Sequence, residues 1–114
     1  MTDATHHDLA LMSKSRQAAD ALIAEEIAAM DVSVQADRLL LDEFQALRLT
    51  TPKPQEVQFS GGFGQICLRV TRPNGPYSVM YLPDAGYFSL CVESVIGPLD
   101  IGVHGPALRC FSSV

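Results

Sequence analysis

A run of alternating apolar and polar residues from Glu56 to Val103 constrains the fold more than any other stretch. Breaks rich in glycine and proline divide this run at residues 61–62, 73–75 and 83–86. Successive side chains of a β-strand point to opposite faces, so alternation between turn residues indicates short strands joined by tight turns. The run therefore predicts an antiparallel meander.

The glycine pair at 61–62 predicts a two-residue hairpin turn, because such turns need positive φ at their central positions. In that register Phe59 lies opposite Gly64, and Val57 lies opposite Ile66. One face of the first two strands is then apolar. That face consists of Val57, Phe59, Ile66, Leu68 and Val70.

The next two breaks determine how the third and fourth strands join this face. A three-residue loop, 73–75, places Leu68 opposite Met80, so the apolar face gains Met80 and Leu82. Phe88 reaches the same face only if the following loop is odd in length or contains a bulge. We expect a loop of three or five residues with Gly86 in a left-handed bulge position. The opposite face is semi-apolar and comprises Cys67, Tyr77, Val79, Tyr81, Tyr87 and Cys91.

A long helix is predicted before the meander. Apolar residues recur at helical spacing between Leu9 and Met30, and Thr5 is the expected N-cap. We expect residues 1–4 to be frayed and the helix to end at Ala29 or Met30. Its many alanines allow close approach of another helix.

A second helix is expected over residues 34–49, capped by Asp31 or Ser33. The proline-containing segment 50–54 is predicted to be an extended linker, because the residue before a proline disfavours helical geometry. The apolar stripe of the second helix consists of Leu40, Leu41, Phe44 and Leu47.

Beyond the fourth strand the pattern predicts a short strand at 99–103 and an edge strand at 107–111. The predicted fold class is α+β, as one domain over residues 1–114. Two N-terminal helices precede an antiparallel meander of five to six strands, and the helices pack on one sheet face.

Charge and cysteine content restrict the partners and the compartment. The net charge is −5, and the excess acid lies in residues 1–50. Lysine and arginine form no basic stripe, so nucleic acid and membrane surfaces are not expected partners. The first residues show no signal-peptide pattern, and three widely spaced cysteines predict free thiols in the cytoplasm.

Few residues have the spacing of a catalytic or metal site. Adjacent helical histidines, His6 and His7, point in different directions, so we expect neither a metal nor a cofactor. The glycine-rich segment 60–64 precedes a strand, whereas a phosphate loop precedes a helix. Arg69 and Glu93 fall on one sheet face and can pair.

These observations predict a non-enzymatic binding or adaptor protein that acts as a homodimer, with a second protein as a further partner. The expected interface contains Leu22, Tyr77, Val79, Tyr81 and Tyr87, because semi-apolar faces with aromatic residues are typical of interaction surfaces. The alternative is a small ligand-binding domain or enzyme with a pocket near Cys91, Glu93 and His104. A third interpretation is that both sheet faces are covered within one chain.

Overall fold

The computed structural model describes the backbone of residues 2–114 and the side chains of residues 10–114. These residues form three helices and five strands: α1 (Thr2–Ala28), α2 (Gln35–Leu47), β1 (Arg48–Phe59), β2 (Phe63–Thr71), β3 (Tyr77–Leu82), β4 (Tyr87–Val92), β5 (Leu99–Gly105) and α3 (Ala107–Ser112). The strands form an antiparallel meander, and the helices pack on one of its faces. The predicted α+β fold is confirmed.

The sheet closes on itself into a small barrel. The last residues of β1 pair in parallel with the start of β5, where Gln58 lies beside Leu99. The backbone N–H of Gln58 donates to the carbonyl of Pro98 at 2.9 Å. Because side chains alternate along each strand, they point either into the barrel or outward towards the helices.

The outer face of the barrel carries the larger hydrophobic core, which we call the outer core. Phe44 of α2 lies at its centre and meets the ring of Phe111 edge-on, with 5.4 Å between the ring centroids. Its buried members come from all three helices and from β2, β3 and β4: Ala19, Ile23, Phe44, Leu68, Val70, Val79, Tyr81, Phe88, Leu90, Ala107, Leu108, Cys110 and Phe111.

The inside of the barrel holds a smaller cluster, which we call the inner core. Phe59 packs against it from the end of β1 and is partly exposed. The buried members are Val57, Cys67, Met80, Leu82 and Cys91. Both faces of the sheet are thus covered within one chain over most of its strands.

The predicted β1–β2 register is wrong by one residue. Phe59 pairs with Phe63, and Gln58 pairs with Gly64, so the turn contains three residues, 60–62. The turn is closed by the Gly62 N–H, which donates to the Phe59 carbonyl at 3.2 Å. The shift places Val57 and Phe59 inside the barrel, where the inner core buries Val57 completely, whereas Ile66 faces outward.

The β2–β3 register also differs by one residue, because Leu68 pairs with Tyr81 and not with Met80. Asn74 and Tyr77 pair with each other and tighten the connection. Thr71 then accepts the Val79 N–H on its side-chain oxygen at 3.0 Å. Val79 and Tyr81 therefore belong to the outer core, whereas Met80 and Leu82 point inward.

The β3–β4 loop contains four residues, 83–86, because Leu82 pairs with Tyr87. The expected odd loop length is wrong, since the corrected register of β3 already brings Tyr81 opposite Phe88. The expected left-handed Gly86 is confirmed, with a φ of 74°. A side chain with a Cβ would be strained at that position.

The predicted edge strand at 107–111 is a helix instead. Both carboxylate oxygens of Glu26 in α1 accept backbone N–H groups at the start of α3, from Ala107 and Leu108, each at 2.9 Å. The first N–H groups of a helix have no partner within the helix, so this carboxylate satisfies two of them. The sheet therefore has five strands within the described residues.

Both boundaries of α2 differ from the predictions, and the helix ends at Leu47. Val34 is the N-cap residue of α2, and neither Asp31 nor Ser33 holds that position. The predicted linker at 50–54 belongs to β1, whose pairing with β2 is irregular between Arg48 and Lys53. Proline is tolerated at such irregular, edge-like positions.

The start of α1 lies earlier than expected, at Thr2. Thr5 therefore lies within α1 and is not its N-cap, so that prediction is wrong. The side chains of His6 and His7 lie outside the described residues, so the prediction made for them is untested. The frayed start at residues 1–4 stays a prediction as well.

Candidate functional site

The structure separates the residues predicted to form the interface. Val79 and Tyr81 are only 1% and 4% exposed because the helices of the same chain cover them. Tyr77 and Leu22 are partly buried against the same outer core. Tyr87 remains 39% exposed at the start of β4. A continuous tyrosine face is therefore absent from the described surface, because the predicted register was wrong.

The three residues of the predicted pocket share the inner side of the sheet, but they take part in different clusters. Cys91 is fully buried in the inner core. Glu93 binds Arg69 at one end of the barrel, and His104 binds Asp100 near the other end of β5. These side chains do not converge on one cavity of the described surface.

Arg69 and Glu93 form the predicted ion pair, with 2.6 Å between Nη1 of Arg69 and Oε1 of Glu93. The hydroxyl of Ser78 donates to the same carboxylate oxygen at 2.7 Å, and Gln55 accepts from Arg69 at 3.2 Å. Burial acts to raise the pKa of Glu93, but hydrogen bonds from Arg69 and Ser78 and the arginine charge outweigh it and lower that pKa. Glu93 is therefore an engaged carboxylate rather than a general acid.

A second polar cluster joins Ser89, Asp100 and His104. Nε2 of His104 lies 2.8 Å from Oδ1 of Asp100, and the hydroxyl of Ser89 donates to the same oxygen. A nucleophilic triad needs the histidine between the serine and the acid, whereas here the aspartate lies between them. Ser89 is also fully buried, so this arrangement holds β4 against β5 and offers no accessible nucleophile.

All three cysteines of the chain lie in the described part and are free, as predicted, and the structure also buries all three. Burial raises the pKa of Cys91 to about 12 and the pKa values of Cys67 and Cys110 to about 11. These groups are protonated thiols at neutral pH, and the thiolate is the nucleophile. Their surroundings therefore suit packing rather than covalent catalysis.

A groove of about 420 Å³ lies between α1 and the end of the barrel, and we call it the α1 groove. Phe88 forms its buried floor, and Glu25, Tyr87 and Pro106 lie at its exposed rim. Its full lining is Leu22, Glu25, Glu26, Gly86, Tyr87, Phe88, Gly105 and Pro106. Two residues of the predicted interface, Leu22 and Tyr87, thus meet in this groove.

A smaller cavity of about 250 Å³ lies elsewhere along α1, beside the β3–β4 loop. Leu11 and Ile66 line it and are 49% and 50% exposed. Met12, Ser15, Pro83 and Asp84 complete its lining. We call the exposed pair, Leu11 and Ile66, the apolar patch.

Sequence reasoning missed Glu25, Glu26, Gly86 and Pro106 as groove residues. The lining comes from one turn of α1, from the β3–β4 loop with the start of β4, and from the end of β5, which are far apart in the chain. The helical periodicity identified Leu22 as an apolar position, but no local signal places it beside Phe88.

The described residues carry no group of three or more His, Cys, Asp or Glu side chains that can hold a metal ion. Between residues 2 and 114, no helix has both the length and the apolar composition needed to cross a membrane. No protein-family model, curated protein or solved structure matches this chain.

Proposed function

We propose that this chain is a cytoplasmic, non-enzymatic binding or adaptor protein that acts as a homodimer. The α1 groove is the observation that carries the binding role, because concave apolar surfaces are typical of sites that receive a ligand or a partner. Three free, buried thiols support the cytoplasmic assignment, since disulfides rarely persist in reducing compartments.

The apolar patch supports the homodimer. Leu11 and Ile66 hold about half of their surface in water, although they line the same cavity. Twofold dimers are the most common assemblies that bury such a surface, and a stable interface buries on the order of 1,000 Å² or more. The dimer axis is proposed to pass near this patch, so that α1 of one protomer covers the cavity of its partner.

Analytical ultracentrifugation at micromolar concentration tests the homodimer. We expect the wild-type protein to sediment as a dimer and Leu11→Glu to sediment as a folded monomer, because a charge at the patch opposes its burial. Leu39→Glu is the matched control, since Leu39 is 52% exposed on α2 and lies outside the patch. A wild-type monomer, or equal dissociation by both variants, contradicts this assembly.

A further inference from the structure

We propose that the α1 groove receives a protein segment that carries both apolar side chains and lysine or arginine. This inference rests on the proposed binding function and adds the chemical class of the partner. The shape of the groove, its charge and the free space beside its glycines support this class of partner.

The shape of the groove favours a protein segment over a small molecule. Four of its eight lining residues are exposed: Glu25, Gly86, Tyr87 and Pro106. Small-molecule pockets usually enclose about 70–90% of the ligand surface. A groove with so open a rim leaves one side of its occupant in water, which suits side chains projecting from a longer chain.

The floor and walls of the groove provide the apolar contact. Phe88 is only 1% exposed, and Leu22 is partly buried beside it. A Cβ added at Gly86 or Gly105 would meet no atom within 4 Å beyond its chain neighbours, so the backbone at both glycines borders open space. An apolar side chain of a partner can therefore approach the strand ends closely.

The charge of the groove favours a positively charged partner. Two carboxylates, Glu25 and Glu26, line it, and the lining contains neither lysine nor arginine. Glu26 is engaged by the N–H groups of α3. Glu25 is exposed, and within the described part of the chain its carboxylate has no hydrogen bond or ion pair that would compete with a cation.

The ring of Tyr87 adds to the preference for a positively charged partner. Tyr87 stacks on His104, with 5.1 Å between ring centroids, and its side chain still reaches the rim of the groove. The His104 ring is itself held by Asp100, so this wall is fixed in position. Lysine and arginine bind favourably over aromatic rings, and their long apolar stems pack on such walls.

The test uses three end-blocked peptides that differ only in charge: Gly-Leu-Lys-Leu-Lys-Leu-Gly and the versions with both lysines replaced by glutamine or by glutamate. Each is titrated into isotope-labelled full-length protein and followed by amide chemical shifts. We expect the lysine peptide to bind most tightly, with the largest shifts at Leu22, Gly86 and Gly105. The glutamate peptide should bind most weakly.

Two variants separate the groove from the general acidity of the chain. Glu25→Gln should weaken binding of the lysine peptide by about two- to fivefold, as expected for an exposed ion pair. Glu43→Gln makes the same charge change on an exposed site of α2 and should leave the affinity unchanged. Equal weakening by both variants overturns the proposed pairing with Glu25.

The outcomes also separate this inference from the proposed binding function. If the lysine and glutamine peptides bind the groove equally, the preference for a cationic partner is wrong, and the binding role stands. If none of the three peptides shifts the groove residues, both are contradicted.

Discussion

The two faces of the closed sheet are built from the same strands but are covered in different ways. The outer core is formed by thirteen buried residues, four of which are aromatic, beneath three helices. The inner core has five buried residues, two of them cysteines, and polar clusters lie at its ends. A closed sheet of five strands encloses little volume, whereas helices on the outer face can move apart to fit large rings.

The two cores therefore contribute to stability in different ways. The outer core buries large apolar surfaces, whose transfer from water is the main favourable contribution to folding. The inner core gains less from burial, and its charged and hydroxyl groups require partners in a fixed geometry. Within the described side chains, every buried polar atom has such a partner.

The largest expected effect is on the outer core. Phe44→Ala should lower the free energy of unfolding by about 3–5 kcal/mol, because it removes a fully buried ring and its contact with Phe111. Cys91→Ala, in the inner core, removes one sulfur atom and should cost much less. Urea denaturation monitored by circular dichroism gives both values. An equal loss of unfolding free energy in the two variants would contradict the proposed difference between the outer and inner cores.

The next effect concerns the polar end of the inner core. Glu93→Ala should lower the free energy of unfolding by about 1–3 kcal/mol at neutral pH, because Arg69, with 17% of its side chain exposed, loses its charged partner. The matched control is Glu43→Ala, at an exposed site on α2. Urea denaturation again gives the comparison.

The same ion pair predicts a dependence on acid pH. The pKa of Glu93 is lower in the folded chain than in the unfolded chain, so its contribution is present above the unfolded value of about 4.3. That contribution is lost as the pH falls through the lower, folded pKa. The stability difference between the wild-type protein and Glu93→Ala should therefore shrink on acidification, and a constant difference would contradict the pairing.

Alkaline pH tests the buried thiols on both faces. Because burial raises the pKa of Cys91 to about 12, the folded state holds its proton while the unfolded state releases it near pH 8.5. The stabilising contribution is present below the unfolded pKa and decreases as the pH rises towards the folded one. Each thiol should lower stability by up to about 1.4 kcal/mol per pH unit in that window.

Cys91→Ala isolates the contribution of one thiol. Plots of stability against pH between 9 and 11 should be less steep for this variant than for the wild-type protein. Ser94→Ala serves as the control, since Ser94 is exposed beyond the end of β4. Identical slopes for Cys91→Ala and the wild-type protein would indicate that the thiolate is tolerated in the barrel.

The smallest expected effect concerns the contact that holds α3 over the outer core. Glu26→Ala should cost about 1 kcal/mol, which is typical of a lost helix N-cap. Its neighbour Glu25 is exposed and accepts none of the N–H groups at the start of α3, so Glu25→Ala provides the control. A comparison of thermal unfolding midpoints distinguishes the two. An equal loss in both variants would contradict the capping role.

The two N-terminal helices and the four well-alternating strands could be predicted from periodicity and turn residues, but α3 and the strand registers could not. In β3 both sets of alternate residues are apolar, since Val79 and Tyr81 interleave with Met80 and Leu82. A one-residue shift therefore exposes no polar group to an apolar environment. Closure of the sheet decides the register, and closure involves residues far apart in the chain.

The candidate site was less predictable for a related reason. Leu22 and Tyr87 were identified as surface contacts, but the groove that joins them depends on where α1 crosses the end of the barrel. Residues 107–111 are also too few for helical periodicity to be distinguished from alternation. The partner that satisfies their N–H groups is Glu26, 81 residues away from Ala107.

The bond between Glu26 and α3 has a consequence for local opening. It joins the first and last helices across a loop of about 80 residues, whose closure in a flexible chain costs on the order of 4 kcal/mol of entropy. The barrel holds the two helices near each other and removes most of this cost. When α3 detaches, the end of α1 loses its carboxylate contacts at the same moment. Amide hydrogens in α3 and in residues 19–28 of α1 should therefore exchange with solvent as one cooperative unit, while those of β3 and β4 remain protected.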